Sequence, residues 1–155
     1  MVIKNKKFFQ LLLLEIVAVI GIGTYFFVDS ADVYRLFMGE TEFYKQSKTC
    51  DLHLNSCKAK IPKLGTFEFD IEPKNIPLME KLTFTVKTDT DVNELNLHIY
   101  ATNMNMGYHT FTLKKIAPKI YQTTGILPTC TVGGMIWNAE VVSGNKGGLF
   151  TFKTK

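Results

Sequence analysis

The sequence predicts an all-β sandwich domain behind one N-terminal apolar helix. Phe8 to Val28 reads FFQLLLLEIVAVIGIGTYFFV, an almost unbroken apolar run. From residue 66 onward apolar and polar residues alternate with a period of two, as half-buried strands require. Turn-forming Gly, Pro, Asn and Ser separate the alternating runs, and no amphipathic helix lies between them.

At a rise of about 1.5 Å per residue, the apolar run is long enough for a hydrocarbon layer of about 30 Å. Lys4, Lys6 and Lys7 precede it and are expected to stay in the cytoplasm. The chain is therefore expected to be a single-pass inner-membrane protein with its C-terminal domain in the periplasm. Gly21 and Gly23 would suit a signal-peptide cleavage site, but the run continues through TYFFV, which favours an uncleaved anchor. Glu15 sits mid-span and costs about 3 kcal/mol if it faces lipid. The expected division is 1–28 as cytoplasmic tip and transmembrane anchor, 29–48 as connector and 49–155 as the periplasmic sandwich.

The chain of 155 residues carries a formal charge of +4, part of it from those three lysines. Setting them and Glu15 aside leaves fifteen basic and thirteen acidic residues. Lys and Arg are scattered through the rest, and no run there combines basic residues with exposed aromatics, so no nucleic-acid partner is expected.

In the connector, Val33, Leu36, Phe37 and Phe43 are spaced like a short helix. Cys50 and Cys57 follow in TCDLHLNSC; outside the cytoplasm, a pair closing so short a loop is read as a disulfide rather than half a zinc site. Three cysteines allow three single bridges, and proximity favours this one. His53 inside the loop is either a ligand beside Cys50 or an exposed histidine.

Phe67, Phe69 and Ile71 alternate with Glu68 and Asp70, and Pro73 and Pro77 then end the ladder because proline supplies no N–H. Leu82, Phe84 and Val86 form the next inward face, followed by Leu95, Leu97, Ile99 and Ala101, and then by Phe111 and Leu113. A short strand is expected over 119–124. Met135, Trp137, Ala139 and Val141 share another inward face, and LFTFK closes the chain. The count of about seven strands predicts an Ig-like β-sandwich.

The stretch from Asn103 to Val141 gathers Met104, Met106, His109, Cys130, Met135 and the sole tryptophan beside turn residues. Thioethers and thiolates favour a soft ion, copper(I) first. Extended past Ala101, the strand alternation sends Asn103 inward and Met104 and Met106 outward with His98 and Tyr100, about 6.6 Å apart. It also leaves His109 in phase with Phe111. Cys130, between Pro128 and Gly133-Gly134, belongs to a loop and is expected as a free thiol, whereas Met135 shares the core face of Trp137. The expected metal ligands are Met104, Met106, His109, Cys130 and Met135. The competing reading makes the methionines core filling and pairs the cysteine in a disulfide.

Cys50 with Leu52, Cys57, Pro73 with Ile76-Pro77, Met104 to Tyr108, and Leu127 to Trp137 together resemble a group of small membrane-anchored bacterial proteins. These share a Met-x-Met-Gly-Tyr segment and a Leu-Pro-x-Cys segment with Gly-x-Met-x-Trp. More loosely, the chain resembles the YtkA-like and FixH-like β-sandwiches. The resemblance implies a copper-linked accessory role, in copper handling or in assembly of a copper-dependent respiratory oxidase. The histidine–methionine clusters and N-terminal histidine brace of other copper-binding sandwiches are missing from this sequence, which points away from tight copper(II) binding.

No catalytic triad spacing, phosphate loop or paired carboxylates stand out, and Cys130 with His109 lacks a third orienting group, so no enzymatic activity is expected. The alternative to a copper(I) protein is an interaction module, or an accessory subunit of a membrane complex without metal.

Overall fold

A computed structural model describes residues 6–27, 41–130 and 133–154. Helix α1 covers Lys6–Phe27, with its apolar side chains from Phe8 to Ile22 exposed. Among the described residues no helix is long and apolar enough to cross a membrane. The last residue of the expected span, Val28, lies outside them, as does most of the connector.

Among the described residues nine strands follow: β1 (Glu42–Lys45), β2 (Cys57–Ile61), β3 (Gly65–Glu72), β4 (Lys81–Thr88), β5 (Leu95–Ala101), β6 (Tyr108–Ala117), β7 (Ile120–Ile126), β8 (Met135–Ser143) and β9 (Lys146–Thr154). All seven expected strands are among them, and β1 and β2 are added. Phe43, expected in a short helix, lies in β1, which pairs in parallel with β9. Its ring fits because residue 147 is glycine: a Cβ there would sit 3.0 Å from it. The CKAKI run of β2 alternates buried and exposed residues over only five positions, short enough to pass for loop beside the disulfide.

The strands form one hydrogen-bonded order, β1-β9-β8-β5-β6-β7-β4-β3-β2. Strand β6 belongs to two layers: Tyr108–Leu113 pairs with β5, and Lys114–Ala117 pairs with β7 across a bulge. The two layers fold over each other through this shared strand. The all-β prediction holds, but nine strands joined through β6 replace the two separate sheets of a seven-stranded immunoglobulin-type domain.

Every inward residue expected in β3, β4, β5 and β8 is buried. Phe69 of β3 meets Phe150 of β9 at 5.1 Å between ring centroids, and Phe84 of β4 meets Phe111 of β6 at 5.7 Å, so aromatic contacts tie the layers together. Trp137 is fully buried, and its indole N–H donates to Thr154 Oγ1 at 3.0 Å, which removes the penalty for burying that donor.

The antiparallel register sorts the connections between two ends. Tight turns at 62–64, 118–119 and 144–145 lie at one, with the longer 89–94. The segments 46–56, 73–80 and 102–107, with the described residues of 127–134, lie at the other. All the residues singled out as metal ligands or disulfide partners are carried at or beside this long-loop end.

Candidate functional site

Two loops build the centre of the long-loop end. The first, 102–107, joins β5 to β6 and carries Met104 and Met106; the second, 127–134, joins β7 to β8 and carries Cys130. The Cys130 thiol donates to Met104 Sδ at 2.8 Å, and both side chains are half-buried. Two soft donors from residues 26 apart in sequence therefore meet side by side.

Local chemistry shapes both loops. The Gly107 N–H donates to Asn105 Oδ1 at 3.2 Å, and Gly107 has φ +80°, a conformation open to residues without a Cβ. In the second loop the Gly133 N–H donates to Cys130 O at 3.3 Å. Asn103 bridges the two: its Nδ2 donates to Gly134 O at 2.9 Å, and its Oδ1 accepts from the Ile136 N–H at 3.0 Å.

The other expected ligands take different positions. Met106 is half-buried and packs against the core. His109 Nε2 lies 3.2 Å from Met106 O; a carbonyl only accepts, so Nε2 carries a proton and Nδ1 is the ring nitrogen left for any ligand role. Met135 is 1% exposed, on the Trp137 face of the core. Among the described residues no three His, Cys, Asp or Glu side chains converge as a harder metal site would need.

Residues 103–106 do not follow the parity expected from β5. Strand β5 ends at Ala101, and the chain then bends away, so alternation no longer decides which way residues 103–106 face. Asn103, expected inward, is exposed, while Met104 and Met106, expected outward, are half-buried.

Cys50 and Cys57 form the disulfide, and Cys130 is a free thiol. His53 ties the disulfide loop down: Nδ1 lies 2.9 Å from Lys74 O and Nε2 2.6 Å from Lys153 O. Beside it opens a cavity of about 930 Å³, lined by His53, Ile76, Pro77, Met135, Ile136 and Lys153 among others.

A polar cluster on the outer face of β5 and β8 was only half signalled by the sequence. His98 and Glu140 are almost wholly buried there. Tyr100 and Tyr108 donate to the two Glu140 carboxylate oxygens at 2.7 and 3.2 Å, and the Tyr108 ring stacks on both His98 and Tyr100. Burial pushes the His98 imidazole below its ordinary pKa, against the opposing pull of the Glu140 charge. Alternation placed His98 and Tyr100 on a polar face, but no spacing rule pairs them with residues some forty positions away.

No protein-family model matches this chain, and comparison with curated proteins and with solved structures finds no match.

Proposed function

We propose that this chain is a periplasmic accessory protein, tethered to the inner membrane by residues 8–28, that binds copper(I) at Met104 and Cys130. Its role is copper handling or the assembly of a copper-dependent oxidase in the same membrane. The observation that carries this reading is the contact between the Cys130 thiol and the Met104 thioether at 2.8 Å. A thiolate and a thioether form a donor set that selects a soft ion, and the ion would displace the thiol proton. Met106 and His109, on the same and the next element, are the nearest further donors by chain position; Met135 fits core filling better.

The anchor rests on the sequence: 21 apolar-rich residues preceded by three lysines. A reporter fused after Lys155 is expected to be active outside the cytoplasm, and cytoplasmic activity would overturn that topology.

The metal reading is tested by titrating the reduced full-length chain in detergent with copper(I) against a chromophoric chelator. Met104→Leu and Cys130→Ser are each expected to weaken binding by about tenfold or more. Native protein that takes up no copper(I), or variants that bind as tightly as native, would overturn it.

One observation favours the interaction module as the second reading. Leu54 and Met79, 71% and 62% exposed, directly follow the cavity-lining residues His53 and Leu78 in the chain. Apolar side chains beside an apolar cavity suit a partner of a membrane complex.

A further inference from the structure

The structure assigns to Asn103 the task of holding Met104 against Cys130, which makes it the positioning residue of the site; the inference rests on the copper(I) reading of that pair.

Strands β5 and β8 pair in antiparallel fashion as far as Ala101 opposite Trp137. Continued regularly, the ladder would set Thr102 opposite Ile136 and Met104 opposite Gly134. The first of these pairs is half made: the Thr102 N–H donates to Ile136 O at 2.8 Å. The Ile136 N–H, however, donates to Asn103 Oδ1 at 3.0 Å instead of to the Thr102 carbonyl. The Gly134 carbonyl accepts from Asn103 Nδ2 at 2.9 Å, where the main-chain N–H of Met104 would have served.

One side-chain amide thus replaces both main-chain rungs, and the start of β8 stays hydrogen-bonded while Met104 leaves the ladder. The residue adjacent to Met104 is thereby fixed to the stem of the loop that carries Cys130. Of the side chains of this length, only asparagine offers a donor and an acceptor together. Aspartate keeps the bond to the Ile136 N–H but sets an oxygen against the Gly134 carbonyl, and alanine keeps neither bond.

The test uses the full-length chain in detergent, as Asn103→Ala and Asn103→Asp, with Thr102→Ala as control. Three quantities are measured: copper(I) affinity by chelator competition, the alkylation rate of Cys130 in metal-free protein, and the melting temperature. Cys130 is the free cysteine, so alkylation reports on it directly. Both Asn103 variants are expected to bind copper(I) about tenfold more weakly and to react several-fold faster at Cys130. Thr102→Ala, which removes only a hydroxyl bond to Ile136 O, is expected to change neither. A purely structural role would lower the melting temperature without moving the alkylation rate of the folded protein, and would overturn the inference. Native affinity and native reactivity in both variants would overturn it as well. If native protein binds no copper(I) while the variants still react faster, the positioning role stands and the copper reading falls. Should Asn103→Ala fail to fold, Asn103→Asp decides by the same measurements.

Discussion

The tight-turn end and the two site loops, 102–107 and 127–134, solve the same problem, closing strands without stranding main-chain polar groups, by different chemistry. At the tight-turn end, carboxylates do it. Asp89 Oδ2 accepts from the Thr66 N–H at 2.8 Å, and Asp91 Oδ1 accepts from the Lys119 N–H at 3.0 Å. Lys115 pairs with Asp91 at 2.8 Å beside them. At the other end, the loops 102–107 and 127–134 contain no charged residue at all. Amide side chains, glycines with positive φ and a sulfur pair shape them instead. Charged turns are sufficient where only the backbone must be satisfied. A neutral sulfur environment is what a soft cation selects and a hard one avoids.

The disulfide gives the strongest way to separate the ends. It closes a seven-residue separation at the end whose connections are long, and Cys57 is buried. Replacing both Cys50 and Cys57 by serine is expected to destabilise the domain by about 2–5 kcal/mol, read by chemical denaturation. Asp89→Asn at the tight-turn end is expected to lower stability much less, because its carboxylate is fully exposed to solvent. Equal losses would mean that the ends do not differ in what they need.

A smaller effect sharpens the distinction within the long-loop end. Met135→Leu conserves volume in the core and is expected to cost less than about 1.5 kcal/mol while shifting the fluorescence of the adjacent strand residue Trp137. It should leave copper(I) affinity unchanged. Met104→Leu should do the reverse, weakening copper(I) binding with the fluorescence unmoved. If Met135→Leu weakens binding as much as Met104→Leu, the site reaches into the core and the two-sulfur description is too narrow.

The sequence made β3, β4, β5 and β8 legible, where alternation faces a common core in strands of seven residues or more, and missed the alternating five-residue β2. It failed for β1, whose four residues dock on glycines of β9 rather than through a pattern of their own. The candidate site was legible as a composition of soft donors, and the pairing of Cys50 with Cys57 followed from loop length. What could not be read was that Met104, rather than Met106 or Met135, meets Cys130. That contact depends on where the chain leaves the ladder, and the asparagine that ends the ladder looks like any loop residue. The Tyr100–Glu140–Tyr108 network was hidden for a related reason: it joins three strands at registers that only the folded sheet defines.

The gentlest perturbation, pH, is expected to act in two separate windows. Burial depresses the His98 pKa below the ordinary 6.5, so the folded chain binds fewer protons there than the unfolded chain does. Its contribution is therefore complete above that value and is lost as pH falls below it. Asp89 and Asp91 are also depressed, the first mainly by its hydrogen bond with Thr66 and the second mainly by Lys115. Their contribution is complete above the ordinary carboxylate value of 3.8 and is lost only as pH falls below it. Melting temperature followed downward from about pH 8 should thus show a shallow decline in the weakly acidic range and a second one in the strongly acidic range. His98→Gln should flatten the first and leave the second, while Asp89→Asn should weaken the second and leave the first. A first decline that persists in His98→Gln would place the responsible group elsewhere, and the buried face of β5 and β8 would then be indifferent to acid.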